Sequence, residues 1–194
     1  MKIVKVILLI LVLLIAVAFV YRGWPLFSTG SKSNEGKILL TTHWQGSGVY
    51  AQNAPGPDSI TLGCWSTTFS QILYYHKLAP TGSIQYQCSK GYQVNEKWQA
   101  EQFDWALFRD VIDDSTPVEI VDQVSQFCYA NATIVQKDFG TGRYKTKLPQ
   151  PKTLAGFYDA DFKMIFNYNG WLKSKRSFKN IVIREVEANR PIFF

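Results

Sequence analysis

TLGCWSTTFSQILYYHK, residues 61–77, decides how the rest of this chain is read. Trp65, Phe69, Ile72 and His76 recur at i, i+4, i+7 and i+11. That spacing predicts one face of a helix that begins at Cys64, and Pro80 and Gly82 close it. Gly63 permits a sharp turn into the helix and a close approach by another group. Cys64 thereby stands at a helix N-terminus, where unsatisfied amides and the macrodipole favour a thiolate. A thiol so placed is either a nucleophile or a small buried residue. Spacing alone leaves both open.

Working outward, Lys37 to Thr42 is a short apolar run expected as a strand, and Gln45 to Asp58 reads as a long irregular loop rich in Gly and Pro. Residues 84–115 give no clear period, with aromatic anchors at Phe103, Trp105 and Phe108. A second helix is signed by Thr116 as cap, Pro117 at the first helical position and Glu119 completing a capping box. Its expected buried stripe is Val121, Val124, Phe127 and Cys128. Phe139 to Gly156 reads as loop, and Asp159 to Phe166 as a short helix. A last helix is capped by Ser177, faces inward through Phe178, Ile181, Val182 and Val186, and stops at Asn189. The sequence then reads PIFF (191–194), a strand-like run.

With 194 residues, 46% apolar and 15% aromatic, the chain suits one packed domain rather than a disordered segment. The formal charge of +6 is spread thinly over Arg143, Lys145 and Lys147, and over Lys173, Lys175, Arg176 and Lys179. No recognition motif accompanies these groups, so they read as solvated faces and no nucleic-acid partner is expected. Residues 1–22 differ. A basic start, MKIVK, precedes VILLILVLLIAVAFVY (6–21), which carries no charge. Ala16-Val17-Ala18 suits signal cleavage, while the length nearly suits an uncleaved membrane anchor. Either places the rest of the chain outside the cytoplasm, secreted or tethered to the membrane, with residues 23–36 as a flexible linker. Three cysteines then meet an oxidising compartment. The simplest arrangement bridges Cys88 to Cys128 and leaves Cys64 free, and the alternative is three reduced, buried thiols.

LLTTHWQ (39–45), GCWSTTFSQILYYHK (63–77), Pro80 and Gly82 together resemble the streptopain family of papain-fold cysteine peptidases. Gly63, Cys64, Thr67, Gln71, Ile72, Tyr75 and His76 match that family's Gly-Cys-x-x-Thr-x-x-x-Gln-Ile-x-x-Tyr-His helix. FDW (103–105) and EVEANRPIFF (185–194) are similar to later family segments, so the resemblance spans about residues 37–194. It implies an α+β papain-like fold with a helical lobe bearing Cys64 and an incomplete antiparallel β lobe. It implies an exported endopeptidase acting on peptide or protein substrates, with Cys64 as nucleophile, Gln45 as the oxyanion-hole side chain and no cofactor or metal.

The sequence also departs from the family. Trp44 and Gln45 are adjacent where the family spaces them. Val49-Tyr50-Ala51 stands for Pro-Tyr-Asn, and Trp65 follows the cysteine where a small residue is usual. About 14 linker residues stand where the family has a long propeptide. The family's catalytic histidine follows the Arg-Pro-Val-Tyr-Tyr segment, so it is expected beyond residue 194. His76 lies 12 residues past Cys64, about 18 Å along a helix, outside proton-transfer reach. His43 is a weak substitute base, since it precedes the cysteine. A membrane-anchored, catalytically inactive remnant that binds peptide or protein is the alternative reading of the same residues. Asn131-Ala132-Thr133 fits a glycosylation pattern. Asp110, Asp113 and Asp114 lack calcium-loop spacing. Glu185 and Glu187 fall on different helix faces. Trp98, Trp105 and Trp171 read as core or rim aromatics.

Overall fold

A computed structural model describes residues 38–57, 60–113, 115–146, 150–164 and 175–192, with the side chains of 175–177 excepted. The expected signal or anchor (1–22), the linker (23–36), Trp171 and the last two residues of PIFF lie outside the described residues. Among the described residues no helix is long and apolar enough to cross a membrane.

Helix α1 spans Cys64–Tyr75, starting where the sequence pattern starts. Its buried residues are Ser66, Thr67, Phe69, Ser70 and Leu73, not the face of Trp65, Ile72 and His76. Serines let another helix approach closely, and α1 uses them for that. Ser70 Oγ donates to Ser66 O (2.9 Å) and accepts from Asn131 Nδ2 (3.2 Å), and Tyr158 Oη donates to Asn131 Oδ1 (2.7 Å). This chain of bonds satisfies every polar group it buries, which is the condition for placing them there. It also removes Asn131 from any glycosylating enzyme, because the residue is fully buried.

Helix α2, Val118–Ile134, packs against α1 and is buried almost all round from Val124 onward. Phe127 and Cys128 are wholly buried, Val124 likewise, and Val121 is half-buried. The expected capping box is not formed: Pro117 occupies the cap position with no side-chain bond. Thr116 is drawn off by Asp113, whose Oδ1 accepts from Ser115 N (2.9 Å), Ser115 Oγ (2.7 Å) and Thr116 Oγ1 (3.1 Å). Such local carboxylate turns compete directly with helix caps.

Around Phe127 stand Phe103 (5.4 Å between ring centroids), Trp105 (5.4 Å), Phe108 (5.3 Å) and Trp44 (6.3 Å), nearly all edge-on. Tyr74 of α1 stacks on Phe108 at 5.2 Å. The aromatic anchors of the unassigned middle stretch therefore serve one cluster.

The stretch without a clear period holds an antiparallel hairpin. Strand β1 (Gly82–Gln87) pairs with β2 (Gln93–Trp98), from Gly82 opposite Trp98 to Gln87 opposite Gln93. A second, two-residue pair follows α2, β3 (Lys137–Asp138) against β4 (Arg143–Tyr144). The two hairpins are pinned together. Asp138 accepts from Ser89 N (2.6 Å) and Ser89 Oγ (2.7 Å), and Tyr86 Oη donates to Lys137 O (2.8 Å). The mixture of helices with small antiparallel sheets agrees with the expected α+β class.

Several local expectations fail. Residues 38–42 form no strand, and Gln71 Nε2 of α1 donates to Thr42 O (3.1 Å). A short helix α3, Pro151–Ala155, begins inside the expected loop, with Pro151 at its first turn. Residues 159–164 are irregular, not helical, and the rings of Tyr158 and Phe162 pack against Phe69 (5.8 and 6.3 Å). Cys88 and Cys128 are both buried and free, so the expected bridge is absent. Each is engaged elsewhere: Cys88 Sγ faces Lys137 O (3.9 Å), and Cys128 lies beneath Ser70, its thiol pushed up to about 12 by burial.

The described residues from 39 to 164, with 191 and 192, belong to one compact unit, and residues 38 and 175–190 to another. In the second unit, helix α4 (Lys175–Glu187) has Phe178, Ile181, Val182 and Val186 half-buried. Ser177 lies inside this helix, not at its cap. Asn189, in the left-handed conformation (φ 56°), follows its end as expected. Glu185 is held by Arg190 (2.5 Å) and Arg184 (3.4 Å), an ordinary surface ion pair and no catalytic dyad.

Two outcomes follow for stability. Phe127→Ala should cost about 3–5 kcal/mol in a urea titration, since the ring is fully enclosed by aromatic neighbours. Burial alone would raise the Asp138 carboxyl, but the Ser89 hydrogen bonds and nearby Lys145 outweigh it and hold it below its usual range. A depressed carboxylate contributes stability above its unfolded value of about 3.9 and loses it on acidification. Stability should therefore fall as pH drops below about 4, and Asp138→Asn should flatten that fall while lowering the melting temperature at neutral pH.

Candidate active site

The site is built where three segments meet at Gly63. Gly63 has φ +84°, a conformation L side chains rarely adopt, and it turns the chain into α1. Leu62 N donates to Gly46 O at 2.8 Å, so the Gln45-Gly46 segment runs beside the residues leading into the helix. The contact is close: a side chain on Gly46 would meet Gly63 backbone atoms at 3.2 and 3.3 Å and Thr67 Oγ1 at 3.1 Å. The third segment is β4. Tyr144 Oη accepts from Ser66 N (3.1 Å) and lies 3.0 Å from Ser66 Oγ. A side chain on Gly63 would come within 2.8 Å of that phenol oxygen.

Cys64 emerges from this junction exposed and free. As the first helical residue, its N–H has no partner among the described residues, whereas Thr67 N and Oγ1 both return to Gly63 O (3.2 and 3.0 Å). An unsatisfied amide beside an exposed sulfur is what an acyl-transfer oxyanion needs. Gln45 is exposed and adjacent to Gly46, so the structure brings nucleophile and oxyanion candidates to one junction through their glycine neighbours. Its companion Trp44 is 5% exposed and donates Nε1 to Arg109 O at 2.9 Å, which anchors the segment. Trp65, in the place of a small residue, turns edge-on to Tyr144 at 4.8 Å.

Neither histidine joins this junction through a described contact. His76 caps the far end of α1, its ring against Tyr75 at 5.0 Å. His43 is exposed, and its backbone N–H donates to Asp110 O (2.8 Å). Among the described residues no group of three His, Cys, Asp or Glu side chains could hold a metal ion.

Sequence reasoning missed the third segment altogether. Tyr144 lies 78 residues from Ser66, and nothing local to either marks the contact. Burial raises its phenol, so it stays a neutral hydrogen-bonding group. Beside it Lys137 is 1% exposed, its ammonium donating to Thr141 O (2.5 Å) and Arg143 O (3.2 Å) and lying 5.1 Å from the Tyr144 ring. Burial lowers this amine, and the Asp138 carboxylate opposes that. A fully buried lysine is rare enough to have been a signal, but only burial reveals it.

The family model described as the Peptidase C10 family matches residues 44–194. No curated protein matches the chain. Among solved structures it is similar to that of active wild-type Prevotella intermedia interpain A cysteine protease. The match has 19% sequence identity and a TM-score of 0.63, and covers 79% of this chain and 66% of that one. The chain thus spans just under two thirds of that protein, and the likeness shows a papain-like cysteine protease fold.

Gly63→Ala tests the junction. The new methyl group meets a phenol already fixed by Ser66, at a φ it cannot relax. Unfolding should be about 1–3 kcal/mol easier, and alkylation of Cys64 by iodoacetamide should change rate while the aromatic near-ultraviolet signature of the core persists.

Proposed function

The chain belongs to the Peptidase C10 family, and on that premise we propose that it supplies the nucleophile of a cysteine endopeptidase acting on peptide or protein substrates. The single observation that carries the reading is the exposed Cys64 sulfur at the start of α1, beside its own unpartnered amide. The sulfur adds to a peptide carbonyl carbon, and the electron pair of the carbonyl passes to oxygen. The Cys64 N–H and the Gln45 side chain receive that negative charge. Collapse expels the amine with a proton and leaves an acyl-thioester, which water then cleaves to restore the thiol.

The proton carrier of such chemistry is an imidazole. In this reading it is the histidine that the streptopain resemblance puts beyond residue 194. In support, His76 caps the far end of α1, a helix length from the sulfur. The reading also takes the chain out of the cytoplasm, supported by the charge-free run 6–21.

A peptidyl probe carrying a thiol-reactive group tests the assignment. It should label one residue, Cys64, and labelling should vanish in Cys64→Ala. Gln45→Ala should slow it by roughly tenfold or more, and His43→Ala should leave it unchanged. Saturable binding of the peptide with no adduct in the wild-type chain would overturn the catalytic reading in favour of a binding module.

A further inference from the structure

Lys137 has no role in the reaction as described so far, yet it occupies a costly position. Its side chain is 1% exposed, and an ammonium taken out of water is expensive unless compensated. Among the described residues it forms no ion pair with a carboxylate. The neighbouring acid, Asp138, spends its carboxylate on Ser89 N and Oγ. The carbonyls of Thr141 and Arg143 take two of the three ammonium protons, and the Tyr144 ring faces the cation. These groups hold the charge still without neutralising it.

Its location is specific. A side-chain carbon on Gly63 would lie 3.7 Å from Lys137 Nζ and 3.6 Å from Cε. The amine therefore sits directly behind the residue that precedes the nucleophile, on the side of α1's N-terminus. Tyr144 stands beside it and bonds to Ser66, so hairpin β3–β4 docks one hydrogen-bonding group and one cation against the first turn of α1.

We propose that Lys137 is a positioning residue of the Cys64 site, whose enclosed ammonium supplies a fixed positive charge next to Gly63, at the start of the helix that carries the attacking sulfur. It touches no reacting atom and acts through Cys64. It adds a full charge to the partial one of the helix terminus, where low local dielectric makes it effective. The inference rests on Cys64 being the nucleophile, but its consequence is a local potential that exists whether or not a peptide is cleaved.

That potential is read by alkylating Cys64 with iodoacetate, an anion, and iodoacetamide, its neutral counterpart, the site confirmed by mass spectrometry. Cys88 and Cys128 are buried and do not compete in the folded chain. The ratio of the two rates should exceed that of a blocked cysteine in solution. Lys137→Met, which keeps length and loses charge, should lower the ratio by about three- to tenfold, and Lys137→Arg should retain most of it. A purely structural role would slow both reagents together and leave the ratio unchanged, which would overturn the proposal. Should Lys137→Met not fold, the wild-type ratio decides: a value at or below the model thiol overturns it as well. Failure of the peptidyl probe with an elevated ratio would count against the peptidase reading and leave this one standing.

Discussion

Gly63 has no side chain, and three parts of the molecule meet around it. The Gln45-Gly46 segment presses on its backbone from one direction, and the Tyr144 phenol closes on it from another. Helix α1 departs from it with Cys64 as its first residue. A side chain on Gly63 would stand only 2.8 Å from the Tyr144 phenol and one on Gly46 3.1–3.3 Å from its neighbours, so the Gln45-Gly46 segment, the start of α1 and hairpin β3–β4 are tightly packed at one place. What the rest of the fold contributes is support at a distance. Trp44 is locked into the Phe127 aromatic cluster, the Ser70–Asn131–Tyr158 bonds hold α1 to α2, and Ser89 ties one hairpin to the other.

The balance of forces differs between these supports. The aromatic cluster is apolar and dominated by area buried, so it tolerates small shifts at modest cost. The polar links do not, because a buried oxygen or nitrogen that loses its partner costs the full desolvation of the group. The chain places its polar links at the interfaces that orient Cys64 and its aromatic mass behind them. A junction of three segments is held in register better by directional bonds than by bulk.

The core of this arrangement was legible in residues 63–77, because helix period, turn glycine and cysteine fall in one short stretch where local rules apply. The α1 boundaries and the left-handed Asn189 were readable for the same reason. The buried face of α1 was not: hydrophobicity points to Trp65, Ile72 and His76, whereas the helix packs through Ser66 and Ser70, whose burial depends on Asn131 far along the chain. The capping box at Thr116 failed to a competing carboxylate three residues away, a contest sequence does not adjudicate. The β1–β2 hairpin was hidden because its strands, GSIQYQ and QVNEKW, are largely polar and join through a turn lacking a two-residue signature. Lys137 and Tyr144 were invisible for a simpler reason, since only tertiary structure brings them to Gly63.

The arrangement of the cysteines has a practical corollary. The core carries two sulfurs and no cross-link, while the third, that of Cys64, belongs to an exposed residue. Oxidant and reductant therefore meet a molecule whose architecture is indifferent to them and whose chemistry is not. Oxidant would reach the exposed Cys64 and leave the two enclosed thiols, and the packing around them, untouched. Redox state in this protein is a setting of the site alone.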